Sequence, residues 1–287
     1  MSMVKAVIAA GGIGASLLPM TKAVAKEILP IGGRPVIDYI VRELHAAGVS
    51  DILIVSGKSK QAIEDYFDSA PELERALKVK GDTAQLRDLA GSTAVNLYFI
   101  HQKAALGIGS ALQLASDFVD GEDFYFVLSD DVLPVEGHLL QDLWQIHQQT
   151  GRHVLASVPI PVTESQYYGV IDWQADTQAI NHVRPIAQIH EKQPIANGTQ
   201  QDAVLGRYVF SADIFEQLNQ LPVSENQFAA ALNALAAQDC LSGLAYTGAH
   251  QNIDGHLGLL KANIALALKD PDTAEPLRAY LRQRMAD

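Results

Sequence analysis

Short apolar runs alternate with helical patterns through the first half of the sequence. The run Val4–Ala10 predicts a buried strand, and 35–48 carries apolar residues at helical spacing before a glycine stop. The same alternation predicts strands at 51–56, 95–100 and Phe124–Leu128, helices at 59–67 and 109–118, and a surface helix pair over 71–89. Strands that alternate with helices are typical of a parallel sheet covered by helices. The sequence therefore predicts an α/β fold with a doubly wound, mostly parallel sheet.

After Gly151 the pattern changes to shorter strand-like runs. Strands are predicted at 153–158, where Pro159 ends the run, and at 170–173, 180–184 and 204–210, with a polar loop over 193–202. Helical patterns return at 212–218, 228–238, 257–268 and 275–285. We expect one domain over residues 1–287, with β-rich insertions and a helical C-terminal end.

Composition and net charge limit the kinds of molecule that this protein is expected to bind. The 287 residues are 48% hydrophobic, enough to bury a sizeable core, and the net charge is −12. Proteins that bind nucleic acid usually carry a basic face, so we expect no nucleic-acid partner. The single Cys240 excludes an internal disulfide. No apolar run approaches the roughly 18 residues of a membrane span, and the first residues do not resemble a signal peptide. We therefore expect a cytoplasmic protein with no membrane partner.

A glycine cluster, Gly11-Gly12-Ile13-Gly14, directly follows the first strand. Glycines at this place let backbone N–H groups approach a phosphate without obstruction by side chains. Leu17 stands where a dinucleotide fingerprint has its third glycine, and the Gly-Lys-Ser/Thr of a P-loop is missing. Lys26 follows the cluster, and its ammonium is suited to neutralising phosphate oxygens. The cluster therefore predicts a phosphate site of neither familiar class.

Six segments of the chain resemble the bacterial UDP-glucose pyrophosphorylases, the UTP–glucose-1-phosphate uridylyltransferases of the sugar nucleotidyltransferase family. In the order of the family, these segments are 18–30, 56–68, 72–74, 102–112, 206–210 and 257–262. The resemblance implies a Rossmann-like nucleotidyltransferase fold with a nucleotide-binding half over 1–150 and a sugar-binding half over 151–287. It also implies that UTP and glucose 1-phosphate form UDP-glucose and pyrophosphate with Mg²⁺, and that the chain forms a homo-oligomer.

The resemblance assigns roles to matching residues. Those implied to bind the nucleotide are Ala10, Gly11, Gly12, Gly14, Glu27, Gln102 and Gly107. Those implied to bind the sugar are Gly169, Glu191 and Gly206. The implied catalytic residues are Lys26, Asp130 and Lys192, and Asp130 is also implied to hold Mg²⁺. A side-chain amide suits recognition of uracil because it offers a donor and an acceptor together. A carboxylate at the carboxyl end of a strand lies where α/β sheets bind ligands.

Several positions depart from the family pattern. Ser16 stands where the family has an arginine that faces the triphosphate, Ala15 where it has a threonine, and Ala25 where it has a proline. Asn252 stands where the family has its second metal-binding aspartate, so Asp254, two residues later, is the predicted second ligand of Mg²⁺. Loss of a well-placed cation can lower the rate of phosphoryl transfer by about 10³–10⁵.

These departures leave three functions open. The first is a uridylyltransferase, with impairment by Ser16 left open. Alternatively, the chain is a non-catalytic paralogue that binds and modulates an active uridylyltransferase, which Ser16 and Asn252 favour and the retained site residues oppose. A third alternative is a nucleotidyltransferase for another sugar or nucleotide, because Gln193 displaces the proline of the family's Glu-Lys-Pro motif and leaves room for a different hexose.

Overall fold

The computed structural model describes residues 4–58, 60–92, 94–134, 137–175, 177–193 and 198–285. The predicted first residue of the 59–67 helix and residues 194–197 of the predicted polar loop lie outside these ranges. Within them, the strands are β1 Val4–Ala10, β2 Pro30–Ile31, β3 Arg34–Pro35, β4 Val49–Gly57, β5 Asn96–Gln102, β6 Phe124–Leu128, β7 Asp131–Val132, β8 His153–Pro161, β9 Gly169–Trp173, β10 Val183–Glu191, β11 Gln200–Phe210, β12 Leu241–Ala245 and β13 Gln251–Asn252. The helices are α1 Val36–Ala46, α2 Gln61–Phe67, α3 Pro71–Lys80, α4 Thr83–Ser92, α5 Ile108–Gln113, α6 Ser116–Val119, α7 Leu139–Thr150, α8 Ile214–Asn219, α9 Gln227–Ala237, α10 Gly255–Ala267 and α11 Ala274–Met285.

Nine of these strands form one sheet in the order β5-β4-β1-β6-β11-β8-β12-β10-β9. The first four are parallel, as the alternating pattern predicts. The second half of the chain adds antiparallel pairings of β11 with β6 and β8, and of β10 with β12 and β9, together with a parallel β8–β12 pair. The α/β prediction is confirmed, and the whole sheet is mixed. Both halves of the chain contribute strands to it.

Buried apolar side chains cover both faces of the sheet. On one face, Ile40 of α1 and Leu143 of α7 pack against the strands. On the other face, α5, α8 and α9 pack over an aromatic group in which the Phe126 and Phe228 ring centroids lie 5.5 Å apart. Strands buried on both faces explain the apolar runs of β1 after Lys5 and of β6.

The predicted end of a strand at Pro159 is wrong, because β8 continues to Pro161. The N–H of His153 donates to the carbonyl of Cys240, and the carbonyl of Ser157 accepts from the N–H of Tyr246, at the two ends of β12. The backbone hydrogen-bonding groups of every second residue of β8 therefore face β12. The backbone nitrogen of Pro159 faces the same side, but the pairing of β8 with β12 ends at Ser157. Its missing N–H therefore costs no hydrogen bond, while β11 stays paired on the other side.

Other predicted elements have shifted bounds. The helix predicted over 109–118 is divided into α5 and α6. The strand predicted over 180–184 begins three residues later as β10 and continues to Glu191, while β11 begins inside the predicted loop. The strand β12 was not predicted, since Ser242 and Gly243 have weak strand preference; its pairing with β8 and β10 makes it a strand.

A buried ion pair joins the sheet to α1. The Arg207 side chain on β11 is fully buried and lies 2.7 Å from the Glu43 carboxylate on α1. Its other N–H groups donate to the carbonyls of Leu128, Gly206 and Asp131 at 3.2, 3.1 and 2.9 Å. Arg207 therefore holds the backbone on both sides of the turn that follows β6.

We predict that Arg207→Met lowers the free energy of unfolding by about 3–5 kcal/mol, because it leaves Glu43 buried without a partner. Urea denaturation measures the change. Arg278→Met is the matched control, since the Arg278–Glu275 pair is exposed and its loss should change stability by less than about 0.5 kcal/mol. Equal effects of the two substitutions would contradict the prediction.

Candidate active site

Three adjoining clefts lie at the edge of the sheet where the parallel strands end. The outer cleft, about 320 Å³, lies between the glycine loop and the segments that follow β4 and β5. The central cleft, about 140 Å³, shares Gly11, Lys26 and Gln102 with it. The inner cleft, about 120 Å³, shares Leu128 and Asp130 with the central one. The carboxyl ends of parallel strands are where α/β sheets bind ligands.

Gln102 lies between the outer and central clefts, at the end of β5. Its side chain is buried against Gly11, where a Cβ atom would overlap the Gln102 amide oxygen. The Gln102 amide nitrogen lies 3.5 Å from the carbonyl of Gly107. Gly107 has a φ of +92°, and a Cβ there would lie 3.0 Å from the backbone of Glu225. A side chain at either position would therefore be too close to its neighbours, which explains both glycines. Both line the central cleft with Gln102.

Lys26 forms an ion pair with Asp130 across the central cleft. Burial lowers the pKa of Lys26, but the negative charges of Asp130 and Glu27 outweigh it, and the net pKa is raised. Lys26 therefore stays protonated. A Cβ at Gly12 would lie 4.0 Å from the Lys26 ammonium, so the backbone of the glycine loop passes directly beside this cation.

Gly14 shapes the loop without lining any of the three clefts in the described structure. Its φ is +67°, a conformation that favours glycine, and the Thr21 hydroxyl donates to its carbonyl at 2.7 Å. The bond holds the loop against the turn that leads to Lys26.

Glu27 and Ala10, which the resemblance implies to bind the nucleotide, lie behind the described lining of the clefts. Both are fully buried and neither is among the described lining residues. The Lys60 ammonium lies 2.8 Å from both carboxylate oxygens of Glu27 and 2.6 Å from the carbonyl of Ala10. The Ser129 hydroxyl donates to Glu27 at 3.3 Å. The Glu27 carboxylate is therefore already bonded to Lys60 and Ser129, and Glu27 stabilises the site from behind the clefts.

Lys60 was not singled out from the sequence. Burial lowers its pKa, although the charge of Glu27 opposes the shift. Its sequence signal was its place just after the second strand, at the same edge of the sheet as the glycine loop. The lysine's side chain also borders the outer cleft.

The predicted sugar-binding residues come together in the inner cleft. Gly169, Glu191, Lys192 and Gly206 line it with Asp130. Burial raises the pKa of Glu191, and the Lys192 ammonium, 4.0 Å away, opposes this. A Cβ at Gly169 would lie 3.1 Å from the Glu191 carboxylate, so a side chain there would crowd the cleft. Pairing of β9 with β10 places these residues opposite each other.

Asn252 and Asp254 also line the inner cleft, but their side chains differ in their hydrogen bonds. The Asn252 amide nitrogen donates to the Asp131 carboxylate at 3.1 Å, and its oxygen accepts from the Asp254 backbone N–H at 2.9 Å. Burial raises the pKa of Asp131 to about 6. The Ser16 hydroxyl donates to one oxygen of the Asp254 carboxylate. Asn252 is thus bonded at both ends of its amide, while Asp254 faces the cleft.

Comparison with known proteins identifies the family. The model for the nucleotidyl transferase family matches residues 5–245. The chain belongs to the nucleotidyl transferase family. A UTP–glucose-1-phosphate uridylyltransferase from Staphylococcus epidermidis is 35% identical over 283 residues, which cover 97% of each chain. One with the same name from Streptococcus pneumoniae is 36% identical over 97% of this chain and 95% of the relative.

Solved structures agree with this family. A UTP-bound UGPase from Acinetobacter baumannii matches with a TM-score of 0.87 at 27% identity, over 97% of this chain and 98% of that one. The nucleotidyl transferase fold implied by the resemblance is therefore confirmed. In the part of this nucleotidyl transferase that the structure describes, no helix has the length and apolarity needed to cross a membrane.

We predict that Lys60→Met lowers the free energy of unfolding by about 3–5 kcal/mol, because Glu27 would remain buried without its cation. Lys58→Met is the matched control, since Lys58 is exposed and lies two residues away. Its substitution should change stability by less than about 0.5 kcal/mol. Chemical denaturation compares the two variants. A stable Lys60→Met protein would show that the pair does not support the site.

Proposed function

We propose that this nucleotidyl transferase forms UDP-glucose and pyrophosphate from UTP and glucose 1-phosphate. The observation that carries the proposal is the pair of adjoining clefts, which share Asp130 and place Gln102 and Lys26 on one side and the Glu191–Lys192 pair on the other. The uridylyltransferase names of relatives at 35% and 36% identity point to the same substrates. The net charge of −12 favours small-molecule substrates over nucleic acid. We place the reaction in the cytoplasm and expect no membrane partner.

In this proposal, the central cleft binds the nucleotide. The Gln102 amide pairs with the edge of the uracil, since it offers both a donor and an acceptor. The backbone of Gly107 borders the same cleft, and Gly11 and Gly12 bring backbone N–H groups toward the phosphates. Lys26 adjoins Gly12, so its ammonium neutralises a phosphate that lies on the loop.

The inner cleft binds glucose 1-phosphate in this proposal. The Glu191 carboxylate accepts hydrogen bonds from sugar hydroxyls, and Lys192, whose side chain is 65% exposed, binds the sugar phosphate. Gly169 and Gly206 let the sugar approach the backbone without a side chain between them. Both glycines line the cleft together with Asp130, so the sugar phosphate lies next to the nucleotide.

Asp130 and Asp254 are the carboxylates proposed to hold Mg²⁺. Sites that handle phosphates hold Mg²⁺ through one or two carboxylates together with substrate oxygens, and these residues fit that pattern. Lys26 and Ser16 each occupy one oxygen of a carboxylate, which leaves the second oxygen of each for a metal. Asn252 fits less well because both ends of its amide are bonded. A bound Mg²⁺ would offset charge on the phosphates of both substrates.

The proposed reaction is a direct transfer. An oxygen of glucose 1-phosphate forms a bond to the α-phosphorus of UTP, while the bond from that phosphorus to the pyrophosphate oxygen breaks. Lys26 and Lys192 balance the charge of the two phosphate groups from opposite sides of Asp130. Catalysis of this kind rests on positioning and on neutralising charge, so no covalent intermediate with the protein is needed.

A second candidate function rests on Ser16. Its side chain carries no charge and bonds to Asp254, so it supplies no cation to the site. A non-catalytic paralogue that binds both ligands and modulates an active uridylyltransferase would keep the rest of the cleft. Turnover separates the two candidates, because both of them bind UTP.

We predict that the purified chain releases pyrophosphate from UTP and glucose 1-phosphate in the presence of Mg²⁺. Asp130→Asn should lower kcat by about 10²–10³, because it removes the negative charge that pairs with Lys26 and that is proposed to hold Mg²⁺ beside the phosphates. Asp117→Asn is the matched control, since Asp117 lies on α6 and is not a described lining residue of the three clefts. An enzyme-coupled assay of pyrophosphate measures all three proteins.

Each outcome assigns the chain to one candidate. No release by the natural chain, together with calorimetric binding of UTP, would support the non-catalytic paralogue. In that case Ala15→Thr/Ser16→Arg should produce activity, because it returns a cation to the loop. Release with a different triphosphate or sugar 1-phosphate, and not with these two substrates, would support an altered substrate.

We also propose that the chain forms a homo-oligomer through α10. This helix carries apolar residues on all sides, yet Leu257 is 63% and Leu260 is 56% exposed. Helices that are apolar all round are normally buried, so a second copy is the proposed cover.

We predict that Leu257→Glu/Leu260→Glu lowers the molecular mass observed by sedimentation to that of one chain, because two charges would be placed in the interface. Leu73→Glu is the control, since Leu73 is an exposed leucine on α3. A natural chain that sediments as a monomer would contradict the proposed homo-oligomer.

A further inference from the structure

Three lysines without ion-pair partners surround the outer cleft. Lys22, Lys58 and Lys103 line it and are exposed, and none forms an ion pair with another residue in the described ranges. The two other lysines of this cleft differ, because Lys26 is paired with Asp130 and Lys60 with Glu27. The outer cleft thus carries three positive charges that no carboxylate of the described chain offsets.

This concentration of charge is unusual for the chain. The net charge of the protein is −12, yet no acidic residue is present among the described residues that line the outer cleft. A cleft lined by charges of one sign focuses the electric field and raises the local concentration of the opposite ion. A ligand with several negative charges is therefore the occupant that this cleft suits.

The outer cleft continues directly from the proposed nucleotide site. It shares Gly12 and Lys26 with the central cleft, at the point where the phosphates would lie on the glycine loop. Lys22 reaches it from the turn after that loop. Lys58 and Lys103 reach it from the other wall, from segments that follow β4 and β5. An anion that extends outward from Gly12 would pass between these walls.

We propose that Lys58 and Lys103, together with Lys22, bind the outer phosphates of the triphosphate and the pyrophosphate that they become. This inference rests on the proposed function and deepens it, since it assigns the polyphosphate to residues that the resemblance does not assign. The shared ligand chemistry is a polyphosphate, either attached to a nucleoside or free.

Ser16 is not among the described residues that line the outer cleft. The Ser16 hydroxyl bonds to Asp254 at the inner cleft, so this position contributes no charge to the polyphosphate. Lys58 and Lys103 supply positive charge from the opposite wall. The two lysines therefore neutralise the charge of the leaving pyrophosphate, as a cation on the loop would. They do so from segments that follow two other strands of the sheet.

The test compares ligands that differ only in their outer phosphates. Calorimetry at fixed Mg²⁺ and salt measures the Kd of UTP, UMP and inorganic pyrophosphate for the natural chain and for Lys58→Met/Lys103→Met. We expect the double variant to bind UTP and pyrophosphate about tenfold or more weakly, because charged hydrogen bonds are lost. UMP should bind within about twofold of the natural value. Lys80→Met, an exposed lysine on α3, is the control and should change none of the three.

The outcomes also distinguish the inference from the proposed function. A natural chain that binds neither UTP nor UMP would end the proposed function, while a pyrophosphate affinity that still depends on the two lysines would support the polyphosphate site. Unchanged affinity for UTP in the double variant would overturn the inference. Equal weakening of UTP and UMP would also overturn it, since the lysines would then act on the whole site. A thermal melt confirms that each variant is folded.

Salt dependence gives a second measurement that does not depend on the absolute affinities. Screening weakens attraction between exposed charges, so the affinity of the natural chain for UTP should fall with ionic strength. The double variant should show a smaller fall, and UMP should show little difference between the two proteins. The same salt dependence in both proteins would contradict a contact between these lysines and the polyphosphate.

Discussion

The buried ion pair between Lys60 and Glu27 is the interaction on which the site depends. The Lys60 ammonium also bonds the carbonyl of Ala10, and Ser129 donates to the same carboxylate, so the ends of β1, β4 and β6 meet at one buried group. Two buried charges are tolerated only where each is paired and hydrogen-bonded, as these are. Because Glu27 is adjacent to Lys26, this pair also sets where the cation of the cleft stands.

Charge is separated along the cleft that this framework holds open. Among its described charged residues the outer end carries only lysines, whereas the inner end carries the carboxylates of Asp130, Glu191 and Asp254 together with Lys192. A polyphosphate and a sugar with hydroxyl groups need opposite surroundings, and the two ends offer them. The Lys26–Asp130 pair lies where the two environments meet, and the raised pKa of Lys26 keeps its ammonium charged.

Some features of the sheet follow from the local sequence pattern, and others depend on how the strands pair. The parallel strands and the glycine loop after β1 were predicted because buried strands and tight turns have local signatures. The continuation of β8 through Pro159 was not, since it depends on where the pairing with β12 ends. The Glu191–Lys192 pair was assigned through resemblance, but its closeness to Gly169 follows from the pairing of β9 with β10.

The sequence by itself determined the family, the parallel strands of the first half and the loops that carry the chemistry, because short apolar runs and motif residues are local properties. Tertiary structure decided which side chains face the cleft. Glu27 and Ala10 lie behind it with Lys60, while Lys58 and Lys103 lie on its wall. Burial and pairing depend on residues that are far apart in sequence, so only the assembled sheet distinguishes a lysine that supports the site from one that is free to bind a ligand.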